Sequence, residues 1–333
     1  MTSLKKLTLV ISGGAARSIA HAGVIRELNY AGINPDEIVA TSTGAIVAAA
    51  YACGTLDKFR EDFYKQPRTK FLKLLALGGW DRGLVDADVH YKELLGYTKG
   101  LRFEDVDTKL AFVATDLGTG ERVVIDSGDI AEGVQATMAF PGLYPPVVRK
   151  GKLLADGGIV DLLPDEVARQ RGAKIVVSVE SARDHSPGLL NLQKYHRLYQ
   201  NFWMKRLPFF ARKKINTWTY GLARDNFTWP LRYALEALGI RDQQRTIRCC
   251  IGSVTSMTIK TLKAKRNQGY TRDTDILIQP NILGVERLDF TSASESEEEG
   301  ARAARTAIPY IKELLNSKDI KQAENVESTL HRN

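Results

Sequence analysis

The sequence predicts an α/β fold, a mostly parallel sheet covered by helices on both faces in a three-layer α/β/α arrangement. Short apolar runs of strand length alternate with stretches of helical spacing, the pattern that βαβ crossovers produce. With 333 residues the chain has room for a substantial buried core. Its 44% hydrophobic and 26% charged content is that of an ordinary soluble globular protein.

Residues 6–12, "KLTLVIS", read as a buried strand that stops at Gly13-Gly14. "IAHAGVIRELNYAGI" follows as a helix with Val24, Leu28 and Ala31 at helical spacing. "EIVATS" is a second strand running into Ser42, and 43–53 a helix of small residues. Residues 55–77 read as helical, with "LGGWDRGL" as a loop. "KLAFVATDL" and "ERVVIDSG" make two strands around the turn "GTG". "IAEGVQATMAF" is a helix broken by "PGLYPPV", and "RKGKLLADGG" is a turn and a strand leading to Asp156. "DEVARQRG" is a short helix and "AKIVVSVES" a core strand. Order returns with the strand "DTDILIQP" and a helix from Glu295 to Leu315, with Ala301, Ala304, Ile308, Ile311 and Leu315 on one face. Acids at 295 and 297–299 favour its N-terminal dipole, and 317–333 form a polar tail. The expected organisation is one domain over 5–316, interrupted at 184–255.

Composition excludes several classes. Cys53, Cys249 and Cys250 make no disulfide framework, and none has metal-site spacing, so a reducing, cytoplasmic setting is expected with no metal and no cofactor. "MTSLKKLTLVISGG" holds too short an apolar run for a signal peptide, whose core needs roughly 7–15 residues. No stretch approaches the roughly 18 apolar residues of a membrane span. The net charge of +8 is local. Between Lys194 and Arg248 there are 12 Lys/Arg against Asp225, Glu236 and Asp242, together with eleven aromatic residues. That mixture suits an anionic membrane surface or a lid, a nucleic-acid patch less well, and also a helical cap whose basic face is merely solvated.

The chemistry gathers at "IVATSTGAIVAAAYACG". A serine becomes a useful nucleophile when a tight strand-to-helix turn exposes it and a base takes its proton. Such a turn needs small residues two positions either side, here Ala40 and Gly44. The Thr43 N–H and the helix behind it add positive partial charge. The competing role for Ser42 is to N-cap that helix with its hydroxyl. Upstream, "SGGAARSIAHAG" offers consecutive backbone N–H groups at a helix start, suited to an anion or an oxyanion, although it lacks both the dinucleotide fingerprint and the Walker lysine. Downstream, "LLADGGIVDLLP" sets Asp156 before Gly157 and Gly158 at a strand end. The five histidines are His21, His90, His185, His196 and His331, and packing or bonding to the glycine loop suits His21 better than proton transfer. A direct Ser42–Asp156 dyad needs none of them.

In order and spacing, "GGAARS", "HAG", "TSTGA" and "DGG" resemble the patatin-like phospholipase family. "ATDLGTGE", "ATMAFPGLYPPV" and "DTDILIQPNILGVERLDF" add to the likeness, which spans about 5–183 and 255–316. The resemblance implies a patatin-like α/β/α fold and metal-free hydrolysis of lipid acyl esters, phospholipid among them, by a Ser-Asp dyad. Ser42 would be the nucleophile and Asp156 the base. Gly13, Gly14 and Ala15 would supply oxyanion donors, with Arg17 steadying their loop. The family's glycines give way here to Ala15 and Ala40, each adding a methyl where the family has none. Losing one oxyanion donor costs roughly 10²–10³ in rate. Two readings therefore compete with a phospholipase: a catalytically silent lipid-binding protein on this scaffold, and a soluble carboxylesterase or thioesterase.

Overall fold

The computed structural model describes residues 7–65, 85–140, 143–182, 273–282, 285 and 290–330, with side chains of the last segment as far as Ser317. Among them, β1 (Leu7–Ile11), β2 (Glu37–Thr41), β3 (Lys109–Asp116), β4 (Arg122–Ile125), β5 (Val147–Arg149), β6 (Lys152–Asp156), β7 (Ile175–Val179) and β8 (Ile276–Ile278) form one sheet. Its order is β5-β6-β3-β2-β1-β7-β8, with β4 paired to β3. The four pairings from β3 to β8 are parallel. Those joining β4, β5 and β6 are antiparallel.

The helices are α1 (Ile19–Tyr30), α2 (Thr43–Ala52), α3 (Leu56–Tyr64), α4 (Ala87–Thr98), α5 (Ile130–Thr137), α6 (Asp165–Gln170) and α7 (Ala293–Leu330). Alternation along the strands divides the core. Leu9, Ile11, Ala40, Phe112 and Val177 pack with residues of α1, α2, α4, α5 and α7. Val10, Val39, Ala111, Val113 and Val176 face the other way, onto Val167 and Ala168 of α6. Helices on both faces of the sheet give the expected three layers. Helix α2, "TGAIVAAAYA", is apolar around most of its circumference and accordingly central.

Two elements lie outside the sequence-based expectations. Helix α4 begins at Asp86, whose carboxylate accepts from the N–H groups of Asp88 and Val89, and ends at left-handed Lys99. Strand β5 completes a hairpin with β6 through Lys150 and Gly151, both at positive φ as a type I′ turn requires. The C-terminal region also differs: α7 runs unbroken through Leu330, where a polar tail from 317 was expected, because lysine, alanine and glutamate there sustain a helix. The basic aromatic segment 194–248, His185, His196, the second half of the expected helix 55–77 and the whole loop 77–84 lie outside the described residues. No helix among the described residues is long and apolar enough to cross a membrane.

The packing of α7 on α1 fixes the start of the glycine loop's following helix. Ala301, Ala304 and Ile311 of the predicted stripe are fully buried. A Cβ on Gly23 would lie 2.0 Å from the Glu297 carbonyl oxygen, so the two backbones meet without side chains between them. The Glu297 carboxylate, only 1% exposed, is paired with Arg26 of α1 at 2.5 Å and Arg60 of α3 at 2.7 Å. It is an interior hub rather than a dipole partner. Gly23→Ala should therefore force the helices apart and cost about 3 kcal/mol, read as a lower denaturation midpoint with unchanged m-value.

Candidate active site

β1 and β2 are parallel neighbours, so the turns after their C-terminal ends lie side by side. The glycine loop, residues 12–18, follows β1 and Ser42 follows β2. This end of a parallel sheet, where the chain order reverses on either side of β1, is the usual place for a binding crevice.

Ser42 has φ 53° and ψ −132°, a left-handed conformation that costs a non-glycine residue roughly 1–2 kcal/mol. It stands at the N-cap position of α2, but its side chain makes no capping hydrogen bond. Instead Oγ donates to Asp156 Oδ2 at 2.6 Å. The Ser42 N–H is held by Thr137 Oγ1 at 2.9 Å, and the Thr137 hydroxyl donates in turn to the Val113 carbonyl. Gly44 permits the sharp exit: a Cβ there would lie 2.5 Å from the Ser12 carbonyl oxygen. Ala40 needs no such freedom. It is an ordinary β2 residue, fully buried in the main apolar cluster, and its methyl does not strain the turn.

Asp156 closes β6 and is 4% exposed. Oδ1 accepts from the Gly158 N–H at 2.7 Å while Oδ2 takes the serine, so both oxygens are oriented. The Thr115 hydroxyl donates to its carbonyl at 2.8 Å. Gly157 is obligatory for packing, since a Cβ would fall 2.0 Å from the Val113 carbonyl oxygen. Burial pushes the Asp156 carboxyl up to about 6, against the opposing pull of its hydrogen bonds from Ser42 and Gly158. Its negative charge also raises the Tyr144 phenol, along with burial, the largest cause, and Glu93. That ring stacks on His90 at 4.3 Å.

The glycine loop packs directly against the serine. A Cβ on Gly13 would lie 2.9 Å from Ser42 Cβ, and one on Gly14 would lie 2.4 Å from Ser181 Oγ. Ala15 has φ 53°, so this alanine, and not Ala40, carries a backbone strain of roughly 1–2 kcal/mol. Gly14 and Ala15 direct their N–H groups at the Thr43 hydroxyl, 3.1 and 2.9 Å away. Arg17 is buried, and its Nε donates to the Val285 carbonyl at 2.7 Å.

His21 lies beneath the loop. Its Nε2 is 2.9 Å from the Ser12 carbonyl oxygen and 3.0 Å from Ser181 Oγ, and burial drives its pKa down to about 4. Among the described residues neither His21 nor His90 bonds to Ser42 or Asp156. The structure thus brings together Ser42, Asp156, Gly13, Gly14, Ala15, Thr43, Gly44, Gly157 and Gly158, with Arg17 bracing from behind. Sequence reasoning missed Thr137, Ser181 and the Thr43 side chain. Thr137 stood in the quoted "ATMAF" run, yet only tertiary contact reveals what its hydroxyl holds.

Residues 9–169 match the family model described as patatin-like phospholipase. An NTE family protein of Mycobacterium tuberculosis is 30% identical over 195 residues, 56% of this chain and 54% of the relative. Patatin-like phospholipase domain-containing protein 7 of Mus musculus is 25% identical over 309 residues, 90% of this chain and 20% of the relative. The chain therefore spans about half the length of the first and a fifth of the second. Among solved structures, VipD of Legionella pneumophila aligns with 16% identity and a TM-score of 0.44, over 92% of this chain and 67% of that one. The match over residues 9–169, just under half of the chain, takes in the glycine loop, Ser42 and Asp156 alike, so the part of the chain that carries the site is similar to the patatin-like phospholipase family.

Proposed function

We propose that this protein is a serine hydrolase of lipid acyl esters, phospholipids or lysophospholipids among them, working through a Ser42–Asp156 dyad. The observation that carries the reading is the 2.6 Å hydrogen bond from Ser42 Oγ to Asp156 Oδ2, made by a serine in a strained turn that does not cap its helix. Asp156 accepts the hydroxyl proton as Oγ attacks the acyl carbonyl. The proton then passes to the departing alcohol, leaving acyl-Ser42. Asp156 next takes a proton from water, whose oxygen attacks the acyl carbon; the proton returns to Ser42 and the fatty acid leaves. Backbone N–H groups of Gly13, Gly14 and Ala15 meet the oxyanion of both tetrahedral intermediates. An Asp156 raised to about 6 is a stronger base than an exposed carboxylate, yet still ionised at neutral pH. The basic aromatic segment 194–248 supplies contact with anionic lipid surfaces.

A fluorophosphonate probe followed by intact mass tests the reading. The native chain should label stoichiometrically, Ser42→Ala not at all, and Asp156→Asn at least about 10²-fold more slowly. A folded native chain that stays unlabelled would favour the silent lipid-binding alternative.

Because the base must be deprotonated, kcat/KM should rise with pH through about 6 and level off above it; a flat profile from pH 5 to 8 would contradict the assignment of Asp156.

The same shift has a stability consequence. A buried acid raised from 3.8 to about 6 destabilises the fold by on the order of 3 kcal/mol above pH 6. That penalty fades as pH falls from 6 toward 4, where the folded carboxyl is already protonated. Asp156→Asn should thus raise Tm at pH 7 and lose the advantage near pH 4.

A further inference from the structure

Thr43 is the first residue of α2, immediately after Ser42. Its Oγ1 accepts the N–H of Gly14 at 3.1 Å and of Ala15 at 2.9 Å, from a loop 28 to 29 residues earlier in the chain. Ser18 Oγ stands 2.5 Å away. With both lone pairs engaged, the Thr43 hydroxyl has one role left and donates its proton to Ser18. One oxygen thus ties together the nucleophile's own helix, two successive donors of the glycine loop and the residue at the base of α1. The tie coincides with Ala15 at φ 53°, a conformation that glycine adopts freely and alanine does not.

We propose that the Thr43 hydroxyl is a positioning residue for the oxyanion loop. It holds Ala15 in its left-handed conformation and keeps the Gly14 and Ala15 N–H groups converged on one oxygen position beside Ser42. The acyl carbonyl oxygen then takes over those N–H groups while Thr43 keeps its bond to Ser18; no covalent bond at Thr43 changes. The hydroxyl is a built-in surrogate for the oxyanion and compensates for a methyl at position 15. This rests on the acyl-hydrolase reading above.

The test uses the full chain with Thr43→Val, which keeps the shape and removes the acceptor, Thr43→Ser, and Thr43→Val combined with Ala15→Gly. Thr43→Val should lower kcat by roughly 10²-fold, the scale of one lost oxyanion donor, with KM little changed and a Tm lowered by the loss of the acceptor for two N–H groups. Thr43→Ser should retain the rate. Adding Ala15→Gly to Thr43→Val should recover most of the loss, because glycine holds the turn without the tie. Amide exchange at Gly14 and Ala15, which needs no activity, should accelerate in Thr43→Val and not in Thr43→Ser. A Thr43→Val enzyme as fast as or faster than native, no recovery with glycine, or unchanged exchange would each overturn the proposal. A native chain that neither labels nor turns over substrate defeats the hydrolase reading instead, and the exchange data then still decide whether Thr43 holds the loop.

Discussion

Everything at the site depends on how one edge of β3 is shared. At Val113 the strand pairs with Thr41 of β2 and with Val124 of β4, and at Ala114 with Asp156 of β6 and Val123 of β4. A strand has two edges, so β2 and β6 occupy the same one, end to end. The parallel strand delivers Ser42 one residue after Thr41, and the antiparallel strand delivers Asp156 one β3 residue further on. A hydrogen bond between residues 114 apart in sequence is thereby set by adjacent rungs of a single ladder. A parallel partner could not bring the end of β6 to that point. The antiparallel flank of an otherwise parallel sheet is what lets serine and aspartate meet without a histidine between them.

Strain at the site is matched by hydrogen bonds that exist nowhere else in the local sequence. Ser42 and Ala15 both hold positive φ without being glycine. Each is tied through its own N–H to a threonine hydroxyl, Ser42 to Thr137 and Ala15 to Thr43. Neither threonine comes from the segment it steadies. A buried N–H left without an acceptor costs about 1–3 kcal/mol, comparable to the strain itself, so each tie can hold a conformation that the residue would not choose alone. Beneath the loop, His21 does similar work from the other side. Neutral and fully buried, it bonds to Ser12 and Ser181 and plays the supporting part that its position suggested.

The sequence made the alternation of layers legible because strand and helix periods are local properties. It also exposed Ser42 and Asp156, because sharp turns demand small neighbours and those neighbours are adjacent in the chain. What it could not convey was long-range. Glu297 looked like one of four acids at a helix start, yet contact with Arg26 and Arg60 makes it a buried hub. The two family alanines looked alike, but Ala40 points into the core at no cost while Ala15 bears the strain. A methyl's consequence depends on φ and on what surrounds it, neither of which is written in the residue. Helix α4 was missed for a different reason: its signals, the Asp86 cap and the Lys99-Gly100 stop, were present but unaccompanied by a clear apolar period.

Arg17 has a bearing on where the working unit begins and ends. Its Nε reaches the carbonyl of Val285, more than a hundred residues beyond the family match, and α1 leans on α7 from 293 onward. A fragment cut after residue 169 would keep the serine, the aspartate and every glycine of the loop. It would lose β7, which carries Ser181 at its exit, the far anchor of Arg17 and the helix that seats α1. The proposed dyad is thus encoded in the first half of the chain, but its alignment is a property of both ends. Any version that keeps this alignment therefore needs both the segment through residue 182 and the segment from 273 onward.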